Sequence, residues 1–142
     1  MTTKATLLIY TGSPLDSPEY RHTALHFDFP TGRTSTMHVI GTQGLFTYQE
    51  LQDADPTTTS GRELARSIPI ADIDDLILPE NIRRVVASTP VRNGRGDLDW
   101  NCQNWVADAL GRLVAVGVLS EGVRERAVDG MVEGCLEGRD LS

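Results

Sequence analysis

A chain of 142 residues with 39% hydrophobic and 23% charged side chains has the composition of one globular domain, not of a disordered or fibrous chain. Its formal net charge of -7 comes from 20 acidic and 13 basic residues spread along the chain. No segment gathers the Lys/Arg density that a phosphate backbone requires, which excludes nucleic acid as the partner. No apolar run reaches the length of a membrane span. "MTTKATLLIYTGSP" holds too short an apolar stretch for a secretory leader, so the expectation is a cytoplasmic chain whose two cysteines stay reduced.

The first half reads as β. "ATLLIY" (5–10) is a short apolar strand closed by the turn-rich "TGSPLDSP". "RHTALHFDF" (21–29) alternates, with Thr23, Leu25, Phe27 and Phe29 on one face and His22, Ala24, His26 and Asp28 on the other. "PTG" turns the chain into a third strand, "TSTMHVIG" (34–41), which is predicted to form a hairpin with the second. "GLFTYQEL" (44–51) is a fourth. A polar loop, "DADPTTTSG", then leads to "RSIPIADI" (66–73), expected at a sheet edge because Pro69 lacks a ladder donor.

The second half reads as helical. "PENIRRVVAS" (79–88) opens on proline and carries Ile82, Val85 and Val86 at helical spacing. After the loop "PVRNGRGDLD", the segment 99–119 repeats Cys102, Trp105, Val106, Ala109, Leu110, Leu113 and Val114 along one face. Asp97 or Asp99 is expected to cap this helix and Gly117 to end it. Ser120 caps a last helix with Val123, Val128, Met131, Val132 and Cys135 on its apolar side. Strands followed by helices, without regular alternation, give an α+β domain over residues 1–142: a small antiparallel sheet packed against the helix that bears Cys102.

Cys102 allows two readings. Counted from Asp99 it is the third helical residue, where the dipole and free first-turn N–H groups favour a thiolate and lower its pKa. It also lies on the apolar stripe, where a free cysteine is often simply packed. Cys135, late in the last helix, reads as packing. A nucleophilic cysteine needs a base within hydrogen-bond reach and a third group to orient that base. The three histidines, His22, His26 and His38, all fall on two adjacent strands. Advancing four residues moves a strand side chain by roughly 13 Å, so His22 and His26 do not both reach one sulfur. No zinc-ligand spacing occurs, so neither a metal nor another cofactor is expected.

These segments also resemble a family. "HTAL" (22–25) is similar to the histidine strand of the circularly permuted NlpC/P60 papain-like superfamily, which includes lecithin:retinol acyltransferase-like and PPPDE-like proteins. "NCQNWV" (101–106) is similar to the box that opens their nucleophile helix, and "MHVIG" (37–41) to the strand bearing their third polar residue. The layout "TGSP…RHTAL…HVIG…NCQNWV" resembles small uncharacterised fungal proteins over nearly the whole chain. The sequence departs from the acyltransferase-like box at Gln103 and Asn104, and the interval from His22 to His38 is longer than in that group.

The resemblance implies a permuted papain-like fold and a triad of Cys102 as nucleophile, His22 as base and His38 as orienting residue. The implied chemistry is hydrolysis or acyl transfer at an amide, isopeptide, ester or thioester bond through an acyl-enzyme, with the Cys102 N–H as oxyanion donor. Asn101, Gln103 and Trp100, beside the nucleophile, are expected to meet a small-molecule or peptide substrate. Loops 44–61 and 92–100 are expected to rim the cleft, with Arg92 and Arg95 available to an anionic substrate. Two other readings stand beside this one: a catalytically inactive binding or regulatory module of the same fold, and a tailoring enzyme for small metabolites. The oligomeric state is left open.

Overall fold

Apolar residues two apart along three consecutive strands build the core side of a sheet. In the computed structural model, which describes residues 1–12, 15–59 and 61–138, these strands are β1 (Thr2–Tyr10), β2 (His22–Asp28) and β3 (Thr34–Ile40). They are joined by β4 (Thr47–Gln52), the two-residue β5 (Thr58–Thr59) and β6 (Arg62–Asp74). Every pairing is antiparallel, in the order β4-β3-β2-β1-β6-β5. The helices are α1 (Pro79–Ala87), α2 (Cys102–Ala115) and α3 (Glu121–Leu136). The expected α+β arrangement of an antiparallel sheet against helices is therefore present.

The alternation read from "RHTALHFDF" is realised. Leu7, Ile9, Leu25, Phe27, Met37 and Val39 share one buried core with Trp105, Val106, Ala109, Leu110 and Leu113 of α2. Helix α2 packs on β2 and β3, α3 on β1 and β6, and α1 against α2. The opposite sheet face holds a smaller cluster of Leu8, Tyr10 and Ala24 with Leu64.

Two element boundaries and one helix face differ from expectation. Strand β6 starts at Arg62, because the pairing Thr58↔Glu63 folds the polar loop back on it. Over residues 66–73 it is a sheet edge, as expected: that stretch pairs with β1 alone, and β5 covers only Arg62 and Glu63. Pro69 is accommodated at a register shift against β1, where Thr6 faces Pro69 and Ala5 faces Ala71. Helix α2 is capped by Asn101, not Asp97 or Asp99, since Asp97 lies in a separate 3-10 turn, Arg95–Asp97. In α3 Val132 is exposed; Ala127 and Gly134 are buried together with Met131 and Cys135. At its other end α2 closes as expected: Gly117, at φ 83, lets the N–H groups of Gly117 and Val118 reach the carbonyls of Val114 and Leu113.

One topological detail positions the site. The β2–β3 ladder runs from Asp28↔Thr34 only to Leu25↔Met37. Beyond that point β2 stays with β1, through Tyr10↔His22, while β3 stays with β4, through His38↔Gln49 and Ile40↔Thr47. The strands splay and leave an opening at that end of the sheet.

Candidate functional site

A cavity of about 240 Å³ occupies the splayed end, lined by Tyr20–His22, Val39–Gln43, Phe46, Asn101 and Cys102, with Glu19 and Arg62 also on its wall. The start of α2 reaches it through a reciprocal cap. Asn101 Oδ1 accepts the N–H groups of Gln103 (3.0 Å) and Asn104 (3.4 Å), and Asn104 Oδ1 accepts the Asn101 N–H (3.0 Å). Cys102 is thus the first helical residue, two positions earlier than counting from Asp99 gives. The cap uses the N–H groups on either side of it, and the Cys102 N–H donates to no other residue among those described, its own sulfur being the one acceptor near it.

The segment before β2 is fixed to this helix start. Arg21, buried, forks onto Asp16 (2.9 and 3.0 Å) and donates to the Gly134 carbonyl of α3 (3.0 Å). Gln103 Nε2 donates to the carbonyls of Pro18 (2.9 Å) and Arg21 (3.3 Å). The Cys102 thiol also points to the Arg21 carbonyl, at 3.8 Å. That is a long contact for a weak donor. Burial pushes the Cys102 thiol up from its ordinary pKa, against the smaller downward pull of Thr23 and then of Arg62. The depressed pKa expected from the helix terminus is therefore reversed in this arrangement, and the thiol is neutral.

His22 and His38 meet across the splay. His22 Nε2 lies 2.7 Å from His38 Nδ1, and His38 Nε2 lies 2.8 Å from Gln49 Oε1 on β4. The two rings are edge-on, with centroids 4.9 Å apart, and Tyr10 packs against His22 from β1. Burial first, then the charges of His38 and Arg62, push His22 down to about 3. Burial also lowers His38, with Gln49 pulling the other way. Both rings are neutral at pH 7. The remaining nitrogen, His22 Nδ1, has no hydrogen-bond partner among the described residues, and His22 lines the cavity.

The expected residues divide. Cys102, His22 and Asn101 line the cavity, and His38 bonds to His22 from behind. His26 is absent from the lining and pairs with Thr36 Oγ1 at 2.8 Å. Gln103 spends its amide on the two carbonyls that hold the 18–21 segment, and Trp100 packs edge-on against Phe46 and donates to Asp108. Neither of these two is among the lining residues. Of the loops expected at the rim, the first contributes Phe46 and the second contributes no lining residue. Instead Asn93 clamps Phe46 from outside, accepting its N–H (2.8 Å) and donating to its carbonyl (2.9 Å). Arg62, the first residue of β6, lines the cavity, and Arg92 and Arg95 do not.

A family described as being of unknown function, DUF6540, matches residues 9–120. The chain belongs to this family. Neither a curated protein nor a solved structure matches it. The DUF6540 span contains His22, His38, Gln49, Arg62 and Cys102 and ends at Ser120, the cap of α3. Within that span, sequence reading passed over Gln49, Asn93 and Arg62. Gln49 had a signal: a hairpin folded about Gly41–Leu45 sets it directly opposite His38.

Proposed function

We propose that this DUF6540 chain is a cysteine-dependent hydrolase or acyltransferase of the permuted NlpC/P60 papain-like kind, with Cys102 as nucleophile, His22 as base and His38 as the residue that orients it. The observation that carries the reading is the sharing of one cavity by Cys102 and His22, while the far nitrogen of His22 is held by His38. Because thiol and imidazole both start neutral, the reaction is general-base catalysed and does not begin from a standing ion pair. The sulfur leaves its long contact with the Arg21 carbonyl and attacks the substrate carbonyl carbon, while its proton passes to His22 Nδ1. The S–C bond forms as the carbonyl oxygen takes the negative charge, and the Cys102 N–H donates a hydrogen bond to that oxygen.

Collapse expels the amine, alcohol or thiol with the proton from His22. Water, or a second acceptor, then releases the acyl group by the reverse sequence. A cavity of about 240 Å³ sits below the usual range for drug-sized ligands and suits a small acyl group or a single side chain.

The test uses p-nitrophenyl acetate and an acetyl thioester as probes, with intact-mass and peptide analysis. The expected result is one acetyl adduct on Cys102, absent in Cys102→Ser and slowed by ~10²-fold or more in His22→Ala, the scale of a lost general base. No adduct, or an adduct on Cys135 first, overturns the reading. A binding module of the same fold is the second reading, favoured by the buried, uncharged thiol turned toward Arg21. It predicts a saturable ligand and no adduct.

A further inference from the structure

We propose that Gln49 is a positioning residue that fixes the tautomers of both histidines, so that His22 presents a bare Nδ1 to the cavity it shares with Cys102. The inference rests on the proposed chemistry for its purpose, but its geometry is independent of it. Three hydrogen-bonding groups stand in series: Gln49 Oε1, His38 and His22, at 2.8 and 2.7 Å.

An amide oxygen only accepts, so the proton between Gln49 and His38 belongs to His38 Nε2. A neutral imidazole carries one proton, which leaves His38 Nδ1 as an acceptor. The proton in the next bond therefore belongs to His22 Nε2, and His22 Nδ1 is left with its lone pair free. Nothing else among the described residues dictates this choice. Tyr10 packs on the His22 ring without bonding to it, and its hydroxyl donates to the Pro56 carbonyl (2.7 Å). Reversing the one amide, so that its nitrogen donates, would reverse every proton in the series and place N–H on the cavity side of His22. A base would become a donor.

The experiment uses the full chain labelled with 15N-histidine, read by long-range 1H–15N correlation at neutral pH. Wild type is expected to show both His22 and His38 as the Nε2–H form with bare Nδ1. In Gln49→Leu, with circular dichroism confirming the fold, both rings should lose this preference. In Gln49→Glu, whose carboxylate likewise only accepts, the wild-type tautomers should be kept. Wild-type His22 already carrying its proton on Nδ1, or Gln49→Leu leaving the His22 tautomer unchanged, overturns the inference; the wild-type spectrum decides even if a variant fails to fold. The two proposals separate cleanly. Correct tautomers without an acetyl adduct sink the enzyme reading alone, and an adduct with reversed tautomers sinks the role of Gln49 alone.

Discussion

Two substitutions at Asn101 separate the stability of the helix start from the chemistry beside it. Asn101→Ala removes the acceptor of the Gln103 and Asn104 N–H groups while leaving the Asn104 side chain on the residue 101 N–H. Loss of an N-cap of this kind costs about 1 kcal/mol, and up to about 2. For a chain of this size that lowers Tm by roughly 2–6 °C. Asn101→Asp keeps the acceptor and adds a negative charge at the positive end of α2, stabilising the fold by roughly 0.3–1 kcal/mol. That same charge lies one residue from the Cys102 sulfur. For two unit charges taken as about 6 Å apart, repulsion is roughly 0.7 kcal/mol in a water-like medium and roughly 3 kcal/mol at an effective dielectric constant of 20. The thiol pKa should then rise by roughly half a unit to two units. Urea unfolding measures the first effect. The pH dependence of iodoacetamide alkylation, with the site assigned by peptide mass, measures the second. Asn101→Ala should be less stable, and Asn101→Asp at least as stable as wild type yet slower to alkylate at a given pH. An alkylation midpoint that falls or stays fixed in Asn101→Asp would show that the sulfur is not in the field of the helix start.

Three further outcomes are expected. His22 is held down to about 3 against about 6.5 when unfolded, so the unfolded chain binds the extra proton between those values. Stability should hold above pH 6.5 and fall as pH drops toward 3, by at most about 5 kcal/mol for this group; urea unfolding at pH 7 and 5 should show a smaller loss in His22→Ala than in wild type. Gly41→Ala places a Cβ 2.6 Å from the Leu45 carbonyl oxygen at φ +115, whereas at Gly44, φ +82, an added Cβ meets nothing within 4 Å. Gly44→Ala should cost about 1–2 kcal/mol of backbone strain and Gly41→Ala clearly more, and equal Tm losses would refute the packing at the rim. Arg62→Gln removes a positive charge that lowers both Cys102 and His22, so the alkylation midpoint and the His22 titration, followed by NMR, should both move upward.

The sheet was legible because its signal is periodic. Thr23, Leu25 and Phe27 alternate with His22, Ala24 and His26, and a strand buried on its core face has only one register that hides the first set. Helix α2 was legible for the same reason, through Trp105, Val106, Ala109 and Leu113. Its first residue was not. Asp97, Asp99 and Asn101 are all good caps in isolation, and Asn101 prevails because Asn104 returns a bond to its N–H while Asp97 is taken up by a 3-10 turn. The pairing of His22 with His38 follows from a hairpin that the alternation already implied. The splay that lets them meet does not, because it depends on β2 following β1 and β3 following β4 past Leu25 and Met37.

The state of the thiol was the furthest from the sequence, and magnitudes explain why. A cysteine at a helix N-terminus gains roughly 0.3–1 kcal/mol for its charged form, up to about 2 when partly buried. Full burial opposes that charge by up to 3–5 pKa units, which is several times larger. Position along the helix is written in the sequence; depth is not. Depth at Cys102 is set by a distant clasp, in which Arg21 is anchored to Asp16 and Gly134 and Gln103 holds Pro18 and Arg21 over the helix start. The clasp brings the Arg21 carbonyl to the sulfur and removes water from it, so burial outweighs the dipole. In the proposed mechanism, reactivity at Cys102 then depends on a base that takes the proton during attack. That requirement is what gives a bare nitrogen on His22, and the residue two bonds behind it, their importance.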